Sequence, residues 1–144
     1  MNKVRQVLKT KGSQVWTISR EANLLDALAL LREKNIGALV VMDGQSLEGI
    51  FSERDYVQKV DLTRVQPSSV RVEDVMTRDI ICVDPGQSVN DCMEIMTEKH
   101  IRHLPVLENG QLVGIISIGD VVKDMIEELQ FMVKQLENYI TGLR

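Results

Sequence analysis

The sequence is short of most residues that announce chemistry. It has two cysteines, two histidines, one tryptophan and three prolines in 144 residues. Cys82 and Cys92 lack the paired spacing of a metal site, and with Cys82 in an apolar run both read as reduced packing residues. His100 and His103 stand close together with no third ligand in obvious spacing, so no metal centre is expected. Neither sign of charge accumulates: 17 basic residues face 21 acidic ones, a net charge of -4, without the basic footprint that sequence-independent nucleic-acid binding needs. No apolar run approaches the roughly 18 residues of a membrane span, and MNKVRQVLKTKGSQV has no signal-peptide core. The expectation is a globular cytoplasmic protein that binds neither nucleic acid nor membrane.

What the chain does have is itself, twice. Residues 18 to 57 align without a gap on residues 83 to 122, an offset of 65, with 12 identities in 40 positions. They include Asp26/Asp91, Glu33/Glu98, Ile36/Ile101, Gly49/Gly114, Ser52/Ser117 and Asp55/Asp120. Such a match marks a tandem duplication, and a repeat outranks local readings in deciding the fold.

Each copy reads β-α-β-β-α. A short strand (Trp16 to Ile18; Ile80 to Val83) precedes an amphipathic helix with Leu24, Leu28 and Leu31, or Val89, Met93 and Met96, on one face. Two strands then meet at Asp43-Gly44 or Asn109-Gly110, both strong hairpin signals. A second helix starts near Ser52 and Ser117. The fold class expected is mixed α+β, with residues 1–65 and 66–126 as repeats and 127–144 as a helical extension. Halves of this size bury little surface alone, so they are expected to pack together as one pseudo-twofold module.

GIFSERD and GIISIGD close the two copies. Ser-x-x-Asp is first of all a capping box: the Ser oxygen accepts an N–H one turn in, and the acid answers the cap's own N–H. Asn23 before Asp26 and Ser88 before Asp91 have the same spacing, so capping alone accounts for all four. Yet Ser52 and Ser117 also place a helix N-terminus at the carboxyl end of a strand, where unpaired N–H groups suit a phosphate. The carboxylate one turn in could accept both hydroxyls of a ribose. Both readings stay open on the residues alone.

The two copies, with GIFSERD, GIISIGD and IRHLPVLENGQLVGIIS, and with VEDVMTRDIICVDPGQSV leading into the second, resemble a pair of CBS domains, named after cystathionine beta-synthase. The resemblance covers roughly residues 4 to 126 and extends to small stand-alone bacterial proteins of this kind. It implies a non-enzymatic regulatory module that binds an adenine nucleotide (AMP, ADP or ATP, in some members NAD or S-adenosylmethionine) in clefts between the repeats. By the same resemblance Asp55 and Asp120 would hold ribose hydroxyls and Ser52 and Ser117 would contact phosphate. Trp16, Ile18, Ile80 and Ile81 would enclose the adenine, and Arg102 and His103 would bind phosphate. Arg54 opposes the dipole of its helix, which a nearby anion would explain. The copies differ here, with Gly37-Ala38 in place of Arg102-His103 and Gly119 in place of Arg54. The rival reading is a structural dimerisation module; a nucleotide-acting enzyme is disfavoured because no nucleophile-base pair is in view.

Beyond the second copy, Val122, Met125, Leu129, Met132, Leu136, Tyr139 and Leu143 alternate in steps of three and four, an a/d stripe of about three heptads. Such a stripe suits either a coiled coil or a helix folded back on its own module; the resemblance, whose members form flat dimers, implies a homodimer, beside a downstream protein partner that the sequence does not name.

Overall fold

Side-chain caps start the first helix of each repeat. In the computed structural model, which describes residues 2–142, the Asn23 oxygen accepts the Leu25 N–H at 2.7 Å and the Ser88 hydroxyl accepts the Asp91 N–H at 3.0 Å. They open α2 (Leu24–Lys34) and α5 (Val89–Lys99). Both helices end on a left-handed residue, Asn35 at φ 53° and His100 at φ 56°, a conformation that Asn and His tolerate better than most side chains. Leu24, Ala27 and Leu31 are buried on one helix, and Val89, Cys92 and Met96 on the other. Cys92 thus fills the place of Ala27 as a packing residue.

Hairpins follow as expected. β2 (Ala38–Asp43) pairs antiparallel with β3 (Ser46–Ser52), and β4 (His103–Glu108) with β5 (Gln111–Ser117). Their two-residue turns differ. Asn109 and Gly110 both have positive φ, as a type I′ turn requires, whereas in the first turn positive φ falls on Gly44, as in type II′. Each hairpin shifts register once, between Val41 and Met42 and between Val106 and Leu107, so the duplication has kept even its irregularity. Ser52 and Ser117 end the strands and cap α3 (Glu53–Lys59) and α6 (Ile118–Thr141).

One expected element is missing. In the first repeat β1 (Thr17–Ser19) runs parallel to β2, with Ile18 against Val41. In the second, the strand expected over Ile80 to Val83 is reduced to a single bridge, Val83 to Val106. Proline explains both limits. Val40 N–H donates to Trp16 and Arg20 N–H to Met42 at the two ends of the first ladder. Their counterparts are Pro105 and Pro85, which have no N–H to give. Only the central bonds survive, Val83 N–H to Pro105 and Leu107 N–H to Val83, at 3.0 and 2.9 Å.

The chain divides into two compact units that follow packing rather than homology: residues 14–81 form one, and residues 1–13 with 82–144 the other. The repeat boundary read at 65/66 marks the duplication instead. Within the first unit the short helix α4 (Val72–Val75), preceded by a 3-10 turn at Pro67–Ser69, hangs on the loop before α2: Val72 N–H donates to Ala22 at 2.8 Å and Glu73 N–H to Arg20 at 3.0 Å. Within the second, α1 (Val4–Lys11) repeats those bonds, Val4 N–H to Gln87 and Arg5 N–H to Pro85. The segment leading into each repeat therefore completes the unit built on the other.

Close packing against these lead-in helices demands glycine at one place in each hairpin. A Cβ on Gly49 would sit 2.6 Å from the Thr77 carbonyl oxygen, and one on Gly114 would sit 2.7 Å from the Leu8 side chain. Phe51, Leu24 and Leu39 are the largest wholly buried side chains among the described residues of the unit spanning 14–81.

From Ser117 onwards α6 runs for 24 residues. Val121 and Asp124 are buried in its first turns and Met125 is half-buried, but Val122, Ile126, Leu129, Met132, Leu136 and Tyr139 are exposed by 41 to 82%. Val133 and Ile140 widen this stripe beyond the expected a/d pattern; Leu143 lies outside the described residues.

Candidate functional site

Asp55 is held by four bonds. It sits one turn inside α3 with 6% of its surface exposed. Oδ2 accepts the Ser52 N–H at 2.9 Å and the Ser52 hydroxyl at 3.1 Å, closing the capping box. Oδ1 accepts the Thr77 hydroxyl and the Lys59 ammonium, each at 2.9 Å. Lys59 also donates to the carbonyls of Val75 and Met76 at 3.1 and 3.3 Å, where α4 ends. Thr77 trades N–H and carbonyl bonds with Ile50 in an antiparallel bridge. Asp55 therefore ties together the hairpin, α3 and the segment after α4.

Asp120 is treated differently. Oδ2 accepts the Ser117 N–H at 2.8 Å and the Lys11 ammonium at 2.7 Å. Among the described residues its bonds run through that oxygen, and the carboxylate is 20% exposed. Lys11, at the end of α1, also donates to the Ile115 carbonyl at 2.8 Å, so one ammonium does what Thr77 and Lys59 share in the other unit. Position 59 is matched by Asp124, itself buried, with Oδ1 bonded to the Asn2 amide at 2.6 Å and Oδ2 unpartnered. A polar cavity of about 270 Å³ opens here between α1 and α6, lined by Gln6, Lys11, Asp120, Asp124 and Glu127 among others.

His103 belongs to the same cluster. It pairs with Ser117 across the hairpin. Burial pushes its imidazole below the ordinary value of 6.5, Lys11 and more weakly Arg102 push the same way, and Asp120 pulls partly back. Arg102 is exposed beside it, and its carbonyl accepts the first N–H of α6, from Ile118, at 2.8 Å. Ser117, Asp120, His103 and Arg102 are thus brought together in one unit, with Lys11, which sequence reading passed over.

The remaining expected residues scatter more widely. Trp16 and Ile18 pack half-buried on the core of the unit spanning 14–81, and the Lys34 ammonium lies 4.2 Å from the centroid of the Trp16 ring, a cation–π contact. Ile80 and Ile81 are half-buried in irregular chain at the end of that unit. Arg54 is exposed in the first turn of α3. The segments that carry Lys11 and Thr77 held one overlooked signal: V-x-x-V-Leu at residue 4 and V-x-x-V-Met at residue 72 echo each other, but at an offset of 68.

Chemically, the two carboxylates present acceptors at helix N-termini beside cations, an arrangement suited to holding a polyol and an anion together. Among the described residues no group of three or more His, Cys, Asp or Glu side chains could hold a metal ion, and no helix is long and apolar enough to cross a membrane.

Comparison with known proteins agrees with the repeat. The family profile of the CBS domain matches residues 4–61 and 72–127. A CBS domain-containing protein of Arabidopsis thaliana, CBSX3, mitochondrial by name, is 35% identical, covering 96% of this chain and 72% of its own. A solved structure of a candidate signal-transduction protein with CBS domains from Burkholderia ambifaria superposes with a TM-score of 0.84 at 45% identity, over 88% of this chain and 95% of that one. The hexameric CBS-CP12 protein from bloom-forming cyanobacteria reaches 0.74 at 28% identity, over 85% and 70%.

Proposed function

The chain belongs to the CBS-domain family, and from that premise we propose that it is a non-enzymatic sensor, a cytoplasmic homodimer whose affinity for a protein partner changes when an adenine nucleotide binds. The Burkholderia ambifaria protein, 45% identical to this chain, is described as a candidate signal-transduction protein. AMP, ADP or ATP is the first ligand class, with NAD and S-adenosylmethionine as variants on the same adenosine. In this reading Asp120 takes the ribose hydroxyls, Ser117 lies beside the phosphate, and Lys11, Arg102 and His103 supply positive charge.

The observation that carries the reading is the unequal state of the two carboxylates. Among the described residues Asp120 keeps Oδ1 out of its internal bonds, whereas both oxygens of Asp55 are engaged. A ribose can approach the first by adding bonds, but must displace Thr77 or Lys59 to reach the second. Ligand therefore favours Asp120, and Arg54 near Asp55 serves a weaker site or none.

Titration calorimetry with AMP, ATP, NAD and S-adenosylmethionine tests this. Wild type and Asp55→Asn should bind at least one of them, and Asp120→Asn should lose about tenfold or more in affinity. The second reading, a structural module whose Ser-x-x-Asp elements only cap helices, is favoured by the closed box at Asp55. It prevails if no ligand binds wild type.

A further inference from the structure

The two oxygens of Asp120 are unequally occupied. A carboxylate oxygen offers about two lone pairs. Among the described residues those of Oδ2 are both taken, by the Ser117 N–H at 2.8 Å and the Lys11 ammonium at 2.7 Å, while Oδ1 is left open. The neighbouring hydroxyls of a ribose donate side by side, so a carboxylate holds them best with one hydroxyl on each oxygen. One hydroxyl can add at Oδ1. The other reaches Oδ2 only by displacing a donor, and the Ser117 N–H is fixed in the capping box. The donor that can leave is Lys11.

Lys11 is placed for such a move. It is the last residue of α1, its side chain is 30% exposed, and besides Asp120 its ammonium bonds the Ile115 carbonyl at 2.8 Å. Gly12, next in the chain, stands in open space, with nothing within 4 Å of where a Cβ would lie. Lys59, which neutralises Asp55, is instead pinned by the carbonyls of Val75 and Met76 and by the Thr77 hydroxyl. A displaced ammonium needs a new anion, the more so beside the cationic Arg102. A phosphate at Ser117 is a short swing away. The Ser117 N–H and Lys11 share Asp120 Oδ2, and His103, which feels the charge of Lys11, pairs with Ser117 across the hairpin.

We propose that Lys11 makes the Asp120 site selective for phosphate: an adenosine ligand takes both oxygens of Asp120 when it brings an anion to which the Lys11 ammonium can transfer. The inference rests on the nucleotide reading above and names the residue that lets the site tell AMP or ATP from adenosine. Adenosine carries the same hydroxyls, but it must leave Lys11 without a counter-charge or bind through Oδ1 alone. An adenine nucleotide exchanges one ion pair for another.

Titration calorimetry of the full chain with AMP, ATP and adenosine, on wild type and Lys11→Met, tests the exchange. Wild type should bind AMP about tenfold or more tighter than adenosine. Lys11→Met should bind AMP about tenfold more weakly than wild type and adenosine about threefold more tightly, a crossing that neither misfolding nor the loss of a simple phosphate contact produces. The gain for adenosine should disappear when Asp120→Asn is added. Equal affinity of wild type for AMP and adenosine, no gain for adenosine in Lys11→Met, or a gain that survives Asp120→Asn each overturns the exchange and leaves the nucleotide reading standing. A wild type that binds neither AMP nor ATP also overturns it, and the nucleotide reading falls as well if NAD and S-adenosylmethionine fail to bind.

Discussion

The Lys11 ammonium lies 2.7 Å from Asp120 Oδ2, while the equivalent carboxylate, Asp55, is satisfied by Thr77 and Lys59. The duplication has kept the acid and changed what neutralises it. The two positions should therefore respond differently to the same substitution. Asp55→Ala leaves the Ser52 N–H and the Thr77 hydroxyl without an acceptor in a largely buried place and removes the counter-charge of Lys59, which keeps only the carbonyls of Val75 and Met76 and the Thr77 hydroxyl; the loss should cost about 2–3 kcal/mol. Asp120→Ala loses a cap bond and a part-exposed ion pair, so about 1 kcal/mol is expected. Urea unfolding of both variants measures the contrast; equal losses would contradict the structural account of Asp55.

Glycine substitution should separate the two hairpins as well. Gly49→Ala drives a methyl against the backbone oxygen of Thr77, which the Ile50 bridge holds in place, with the Met76 sulfur 3.0 Å away. Gly114→Ala meets the branched end of the Leu8 side chain, Cδ2 at 2.7 Å and Cδ1 at 2.9 Å, which can shift where a backbone oxygen cannot. We expect about 2–3 kcal/mol for the first and about 1 kcal/mol for the second, within the range of overpacked cores. Thermal unfolding that ranks them in the opposite order would reject this reading of the contacts.

His103 predicts a mild acid sensitivity. Its imidazole is lowered from 6.5 in the folded protein, by burial first and Lys11 next. As the pH falls below that value the unfolded chain binds a proton before the folded one does. The histidine's contribution is thus complete above about pH 6.5, is lost through the window down to the folded value, and levels off below it. His103→Gln should flatten the stability curve between pH 7.5 and 5.5 in denaturant titrations. An unchanged slope would assign the acid response to other groups.

Both thiols should be inert in the native state. Burial and the neighbouring Asp91 raise Cys92 to about 11, and burial raises Cys82. Iodoacetamide at pH 8 should modify half-buried Cys82 slowly and Cys92 more slowly still, with both reacting readily in urea. Rapid labelling of Cys92 without denaturant would mean that α5 opens.

Much of the fold was legible because its signals are local. Asp43-Gly44 and Asn109-Gly110 gave the hairpins, and Ser52 and Ser117 the helix starts. The offset of 65 then made one copy a check on the other. The strand over Ile80 to Val83 failed because apolar character says nothing about donors: Pro85 and Pro105 remove N–H groups from opposite ends of its ladder. Lys11 was invisible for another reason. Its partner is 109 residues away, and the lead-in segments echo at 68 rather than 65, so an ungapped comparison passes them by. Asp26 and Asp91 shared the Ser-x-x-Asp spacing but are exposed, and spacing alone could not tell them from Asp55 and Asp120.

The exchange of lead-in helices also sets an order of events during synthesis. α1 leaves the ribosome ahead of the whole unit spanning residues 14–81, yet the hairpin that carries Gly114, on which Leu8 packs, is made more than a hundred residues later. The unit spanning 14–81 has all its parts once Ile81 has emerged. Val4, Val7 and Leu8, buried in the finished protein, must meanwhile wait in solvent or in the care of a chaperone. Nascent chains stalled before β5 should therefore leave α1 open to protease while the following unit already resists it.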